Sequence, residues 1–297
     1  VQGEVYLTTE QAAGYLRLKE RKLYELAAAG QIPCSKVTGK WLFPRGALDR
    51  WIAAGLSRPD GFVAHPVPAV LGGSTDPLLE WAVRQSGAGL AGLPEGSAAG
   101  LERLARNEVA IAAIHFHRLD GDDEDANLEA VAARPGLHDA VVVGFARREQ
   151  GLLTAPGNPL GLDGPADALR KGARPVLRQA GAGAQLLLAR LLAAEGGDLD
   201  ALPESAPRAA TGQDLALAVR GGAADWGLAT RAVAATYGLG FVPLAWERFD
   251  LALRRRTYFE PGPQALFRFF AGPEPARQAE TLGGYDLGDI GRVRLNL

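Results

Sequence analysis

Residues 6–52 read YLTTEQAAGYLRLKERKLYELAAAGQIPCSKVTGKWLFPRGALDRWI, and they set the character of the first part of the chain. Thr8 or Thr9 caps a helix, and Gln11 stands three residues after Thr8, the spacing of a capping box. Ala12, Ala13 and Leu16 share one helical face. Leu18 and Lys19 make a short turn, and a second helix over 20–29 turns Leu23 and Leu26 inward. Gly30 ends it in the left-handed conformation that glycine tolerates. Ile32-Pro33 leads into a hairpin: Ser35-Lys36-Val37, a turn at Thr38-Gly39-Lys40, then Trp41-Leu42-Phe43. Pro44 starts a third helix that carries Leu48, Trp51 and Ile52 inward.

The order is helix, tight turn, helix, two-stranded wing, helix. A helix fits the major groove of B-DNA, and a β-ribbon reaches an adjacent groove or backbone. Arg17, Lys19, Arg21 and Lys22 crowd the turn and the start of the second helix, where Tyr24 follows. Lys36 and Lys40 flank the wing tip, and Arg45 opens the third helix. These eight residues are the candidate DNA contacts; the plainer reading of such a set is a solvated basic face. Through Leu7-Thr8-Thr9-Glu10-Gln11-Ala12-Ala13, Leu23-Tyr24, Gly30-Gln31-Ile32-Pro33 and Lys40-Trp41-Leu42-Phe43-Pro44, this head resembles the excisionase-like branch of the winged MerR-type DNA-binding domains. The resemblance implies double-stranded DNA as a partner.

The whole chain has 297 residues, room for two or three domains. Its charge is uneven. Residues 1–58 carry nine Lys and Arg against five Asp and Glu, and the remainder carries 23 against 29. A basic head on an acidic body suits a nucleic-acid-facing module joined to something else. No apolar run is long enough to span a bilayer. Val1-Gln2-Gly3-Glu4 lacks a basic segment followed by an apolar one, so the chain reads as cytoplasmic. The single cysteine, Cys34, leaves no internal disulfide and no multi-cysteine zinc site.

Pro and Gly punctuation over 57–68 reads as a linker. Strand–loop–helix units follow. Ala69-Val70-Leu71 runs into Gly72-Gly73-Ser74-Thr75-Asp76-Pro77 and a helix. Residues 90–93 form a strand whose loop, Glu95-Gly96-Ser97, feeds another helix, and 109–114 form a third strand ending at His115-Phe116-His117. The acidic run 120–125 lacks calcium-loop spacing and reads as a solvated surface loop. Residues 140–146 form an apolar strand followed by the charged Arg147-Arg148-Glu149, and Leu152-Leu153-Thr154 starts another. Arg178-Gln179-Ala180-Gly181-Ala182-Gly183 precedes a long helix, and 241–244 and 249–254 return as strands. Alternating short strands and helices predict an α/β fold with a mainly parallel sheet.

Through Gly72-Gly73-Ser74-Thr75-Asp76-Pro77-Leu78-Leu79, Glu95-Gly96-Ser97, Leu153-Thr154-Ala155-Pro156-Gly157-Asn158-Pro159-Leu160, Arg178 to Gly183, and Phe249-Asp250-Leu251, the body resembles the type-2 periplasmic binding fold in its cytoplasmic, molybdate-binding-protein-like version. This implies a multidomain chain: a small winged helix-turn-helix head over 1–56, a linker over 57–68 and a two-lobed α/β ligand-binding body over 69–297. Lobe 1 spans about 69–146 and 247–297 and lobe 2 about 147–246.

Ligands of open α/β sheets sit beyond the C-terminal strand ends, where helix N-termini favour anions. Candidate contacts are Ser74, Thr75, Ser97, His115, Arg178, Ala182, Gly183, Asp225 and Tyr237. Each hydroxyl before a helix is equally an N-cap, and Asp225 also suits a cap. His115 and His117 share a strand face if the strand continues through them, but no third metal ligand is evident, so a hydrogen bond from His115 is the preferred role. The family resemblance implies a tetrahedral oxyanion such as molybdate or tungstate as effector; the alanines at 180, 182 and 184 give the second lobe no hydroxyl for it. No Walker loop, nucleophile elbow or complete dinucleotide fingerprint occurs, so no enzyme and no cofactor is expected. The expectation is a ligand-responsive transcription regulator, a homodimer with no membrane partner. The alternatives are a DNA-binding protein whose body only dimerises or binds a partner, and a transporter's solute-binding protein.

Overall fold

The computed structural model describes residues 6–36, 39–54, 67–118, 123–179 and 181–297. Val37 and Thr38 of the expected wing, most of the expected linker, residues 120–122 of the acidic run and Ala180 lie outside these. The chain divides into two compact units, Val1–His65 and Pro66–Leu297.

In the head, Thr8 caps the helix Thr9–Leu16 and closes a full capping box with Gln11. Arg17 ends that helix in the left-handed region, at φ 53°, and Glu20–Ala28 follows after a short turn. Ala12, Ala13, Leu23, Ala27, Ile32, Phe43 and Leu48 form the core. Among the described residues of the expected wing, Ser35 and Leu42 form an antiparallel bridge, and Phe43–Pro44 also pairs in register with Tyr6–Leu7. That pairing holds Phe43 fully inside the core. Pro44 is therefore strand, and the third helix is Arg45–Ala54. Ile52, expected inward, is 43% exposed.

The body begins with three parallel strands, Val70–Gly73, Ala91–Pro94 and Ile111–Ile114, linked through the helices Pro77–Gln85 and Ser97–Ala105. Pro77 opens the first of these at N1 and Asp76 caps it, a pairing that favours a helix start. Backbone packs close beneath: a Cβ on Gly100 would lie 2.5 Å from the Gly73 Cα.

Two strands of 15 residues each, Ala140–Thr154 and Gly240–Arg254, run antiparallel along their whole length, with register shifts between Pro243 and Ala245 and between Phe249 and Asp250. The sequence predicts two shorter strands in place of each and a mainly parallel sheet; both long strands instead pair antiparallel with every described neighbour, so the sheet is mixed. The Arg147-Arg148-Glu149 segment, read as the charged end of one, is its middle. The early half of the first long strand and the late half of the second pack in cores with Leu79, Ile111, Phe145, Leu251 and Leu266, and with Leu101, Ile114, Val142 and Ala252. The opposite halves pack with Leu187, Leu215, Trp226 and Leu228. Residues 147–150 and 246–248 fall between these two sets of cores, so the polar middle of both strands floors a cleft between two lobes.

Candidate functional site

All eight candidate residues of the head, Arg17, Lys19, Arg21, Lys22, Tyr24, Lys36, Lys40 and Arg45, are exposed. Arg17 and Lys19 lie in the turn, and Arg21 and Lys22 on the first turn of the second helix. Arg21 and Lys22 both lean toward Glu25, at 3.3 and 3.7 Å. Lys36 lies over the Trp41 ring at 5.0 Å, and Arg45 over Tyr15 at 5.3 Å, which orients these cations without neutralising them.

The cleft of the body is built around Arg148. Arg148 and Glu247 are cross-strand neighbours on the two long strands, and their side chains bond Nε to Oε1 at 2.5 Å. Arg148 also donates to Asp76 Oδ2 at 3.1 Å and Thr75 O at 3.2 Å, and its guanidinium covers the Phe249 ring at 3.9 Å. Asp76, fully buried, caps Leu78 and Leu79 and accepts Tyr285 Oη. The amide hydrogens nearest that carboxylate are thus spoken for, so the Gly73-Ser74-Thr75 loop leads to a helix end that its own cap has satisfied.

Glu247 also accepts from Gln150 Nε2 at 2.9 Å and bonds His117 Nε2 at 2.8 Å; His117 Nδ1 bonds Asp123 Oδ2, also at 2.8 Å. Arg190 reaches the same Asp123 from the helix Gly183–Ala194. Burial pushes the His117 pKa down, but the bonds to Asp123 and Glu247 outweigh it and raise the value to about 8. Arg148, His117 and Arg190 thereby sit among Asp76, Glu247 and Asp123, cations matched by carboxylates.

His115 stands apart from this balance. Burial holds its pKa at about 3, so it is neutral near pH 7. Its Nδ1 meets Arg148 at 3.0 Å. A guanidinium only donates, so Nδ1 accepts and the ring hydrogen belongs to Nε2. That Nε2 is buried and has no hydrogen-bond partner among the described residues. Arg178 is the other unmatched group: it donates to the carbonyls of Ala209 and Ala210 and makes no salt bridge among the described residues. Burial, then repulsion from Arg148, lowers its pKa to about 10, and it stays charged.

His115, Arg148, Gln150 and Arg178 line one small cleft with Ser74, Thr75, Ala184, Gly212 and Thr230. Ala184 and Gly212 open the helices Gly183–Ala194 and Gly212–Arg220, and the first of these has no side-chain cap. A Cβ on Gly183 would overlap the His115 ring, so glycine lets the two lobes meet there. Gln179 Nε2 to Glu95 O and Gln213 Nε2 to Glu80 Oε2, both 3.0 Å, join the lobes on either side. A wider groove lined by Leu71, Leu79, Val83, Leu90 and Leu93 shares Ser74 and Thr75 with the cleft. Its walls are mostly apolar, whereas His115 and Arg178 line the smaller cleft.

A family model for the PBP superfamily domain matches residues 79–271, well over half of the chain. The chain belongs to the PBP superfamily. A second model, for a helix-turn-helix domain, matches residues 6–55. Neither is an enzyme family. Among solved structures, a phosphate ABC transporter substrate-binding protein with bound phosphate from Clostridium perfringens is 13% identical with a TM-score of 0.51, over 72% of this chain and 96% of that one. PhnD1 from Prochlorococcus marinus in complex with methylphosphonate is 10% identical with a TM-score of 0.52, over 76% and 94%. An H2O2-bound OxyR cysteine mutant from Corynebacterium glutamicum is 14% identical with a TM-score of 0.51, over 95% and 93%. At such identities these share a fold with this chain. No curated protein matches it. No helix among the described residues is long and apolar enough to cross a membrane.

Of the predicted contacts in this PBP body, Ser74, Thr75, His115 and Arg178 line the cleft. Gly183 touches it by packing on His115. Ser97 is fully buried behind it, bonding Ser74 Oγ at 2.9 Å and both main-chain groups of His115, and Ala182 packs near Gly96. Asp225 and Tyr237 are not among the residues lining this cleft. Thr230, at the C-terminal end of strand Trp226–Thr230, lines the cleft, and Asp225 precedes the other end, about 16 Å away at ~3.3 Å per residue. There it pairs with Arg174 at 2.7 Å. Tyr237 ends the helix that starts after Thr230 and packs in the second-lobe core. Within the acidic run, Asp123 is half-buried and tied to His117 and Arg190. His115 and His117 follow the end of strand Ile111–Ile114, and both His117 nitrogens are bonded to carboxylates. Asp76, Arg148, Gln150, Thr230, Glu247 and Tyr285 are not among the contacts the sequence predicts.

Proposed function

We propose that this protein is a cytoplasmic, ligand-responsive transcription regulator: the head over 1–56 binds double-stranded DNA and the two-lobed body over 69–297 senses a small oxyanion. One observation carries the reading of the body. Arg178 and His115 line one cleft beside the uncapped start of helix Gly183–Ala194, and Arg178 has no anionic partner among the described residues. A compact anion there would meet an unmatched cation and a helix start. Phosphate and methylphosphonate, bound by two proteins of the same fold, belong to this ligand class, as do molybdate and tungstate. Small winged heads read few base pairs, so the proposal includes a homodimer on half-sites about 34 Å apart or a multiple of that. The ligand acts by binding the open and closed bodies with different affinity.

A thermal-shift screen against molybdate, tungstate, sulfate, phosphate and small organic acids tests this. A true effector at 100 times its Kd stabilises by about 2.7 kcal/mol. The shift is expected to disappear in Arg178→Ala, and the same ligand is expected to change retention of the full chain on operator DNA. Shifts from organic acids alone would replace the oxyanion. The close packing of Gly183 on His115 favours one other reading, a body that only dimerises or binds a partner; the absence of any ligand shift would support it.

A further inference from the structure

His117 bonds a carboxylate through each ring nitrogen, Nε2 to Glu247 Oε2 and Nδ1 to Asp123 Oδ2, both at 2.8 Å. A carboxylate only accepts, and a neutral imidazole carries a single N–H, so the ring makes both bonds only as the imidazolium. The two carboxylates are not equally held. Glu247 is buried on the second long strand and also accepts from Arg148 and Gln150. Asp123 lies on a loop of the first lobe, is partly exposed, and also accepts from the Arg118 main chain and from Arg190. Arg190 belongs to helix Gly183–Ala194, which packs in the second-lobe core. The row of bonds from Glu247 through His117 and Asp123 to Arg190 thus runs from the long strands to the opposite lobe. The other charged or titratable groups around it are Arg148 behind Glu247, the Arg118 side chain, which is turned to Glu129, and His115, whose ring centre lies 6.0 Å from that of His117 and which is neutral near pH 7.

Loss of the His117 proton breaks this row at one point. The nitrogen left without hydrogen faces a carboxylate oxygen, and the two lone pairs repel. Glu247 is fixed by two other donors on the long strands, so Asp123, nearer to water, is the group that yields, and its contact with Arg190 is disturbed with it. Resting on the reading above that the lobes open and close, we propose that His117, Asp123 and Arg190 form a proton-dependent latch: it holds the lobes together while His117 is an imidazolium and releases them when the proton leaves. Closure takes up a proton, and opening gives it back. By reciprocity, a ligand that favours the closed body raises the proton affinity of His117, and alkaline pH weakens that ligand. None of the three residues lines the ligand cleft, so the latch is independent of the ligand's chemistry.

Distances between two spin labels test this with no ligand added. The full chain carries labels at Ala133→Cys in the first lobe and Ala193→Cys in the second, both exposed positions, in a Cys34→Ser background. The labelled parent is expected to show mainly one short distance at pH 6.5, with the ratio of long to short distances rising about tenfold by pH 9 around a midpoint of about 8. Arg190→Ala is expected to raise the long-distance share already at pH 6.5, and His117→Gln, which stays neutral, to lose the pH dependence. A parent ratio that does not change with pH while Arg190→Ala opens the lobes overturns the proton dependence and leaves the moving lobes standing. A pH dependence that persists in a folded His117→Gln protein assigns the proton to another group and also overturns it. Opening with pH in a protein whose Arg190→Ala variant stays as closed as the parent overturns the contact with Arg190. A single distance in every variant at every pH overturns the opening of the lobes itself.

Discussion

Arg21 in the head has 91% of its side chain exposed and one glutamate nearby, whereas Arg148 in the body has 2% exposed and bonds two carboxylates, a carbonyl and an imidazole. The first keeps its hydration and stays available to a polyanion, at almost no cost to folding. The second has lost its water, and its carboxylates must replace it. A cation that is to meet a ligand inside the body therefore needs an intermediate state, partly buried and not matched. Arg178 is in that state.

Removing the buried partner is the most damaging way to break this comparison. Arg148→Met leaves Asp76 and Glu247 facing each other without their cation, and is expected to cost about 3–5 kcal/mol in urea unfolding. A loss under 1 kcal/mol would show that the surrounding bonds absorb the charges. Gly183→Ala comes next. Its methyl overlaps His115, so the lobes must part or the ring must move, at about 1–3 kcal/mol. Ligand affinity, read by titration, is expected to fall at least about tenfold with it.

The third test is pH. Stability from charged His117 is present in full below its unfolded pKa of about 6.5 and is lost as pH rises through its folded value of about 8. That loss is about 2 kcal/mol between pH 6 and 9. His117→Gln is expected to remove this slope from a series of unfolding curves. His115 acts at the other end: with its pKa depressed to about 3, it destabilises as pH falls below about 6.5. The smallest stability effect belongs to the head. Arg21→Ala/Lys22→Ala is expected to change stability by less than about 0.5 kcal/mol. Operator binding should weaken, and the slope of log K against log salt should fall by about 2. A large stability loss there would show that these exposed cations also hold the fold.

What the sequence disclosed follows the same division. Thr8 with Gln11, Gly30 at φ 66° and the buried Leu23 and Leu48 depend on neighbours close in the chain, and their signals are local. The pairing of Phe43 with Tyr6–Leu7 was not legible, because that strand lies far upstream and is only two residues long. Arg148 was invisible for a stronger reason. Its partner Glu247 is 99 residues away, and without that partner Arg147-Arg148-Glu149 is indistinguishable from a solvated strand end. Ser74, His115 and Arg178 were legible through the rule that loops after parallel strands face the ligand. The same rule misplaced Asp225, which lies at the opposite end of its strand.

The two long strands carry a consequence for synthesis. Residues 250–253 lie between strand Ile111–Ile114 and residues 141–144, at the centre of the first lobe's sheet. Everything between 154 and 240, the bulk of the second lobe, leaves the ribosome before them. The first lobe thus waits with its central slot empty while the second is already free to fold, and the earlier strands, Ala91–Pro94 at the sheet edge among them, are exposed to chaperones longest. Nonsense or frameshift changes shortly before residue 250 are expected to release a chain with one finished lobe and one unclosed sheet, a substrate for quality control rather than a partial sensor.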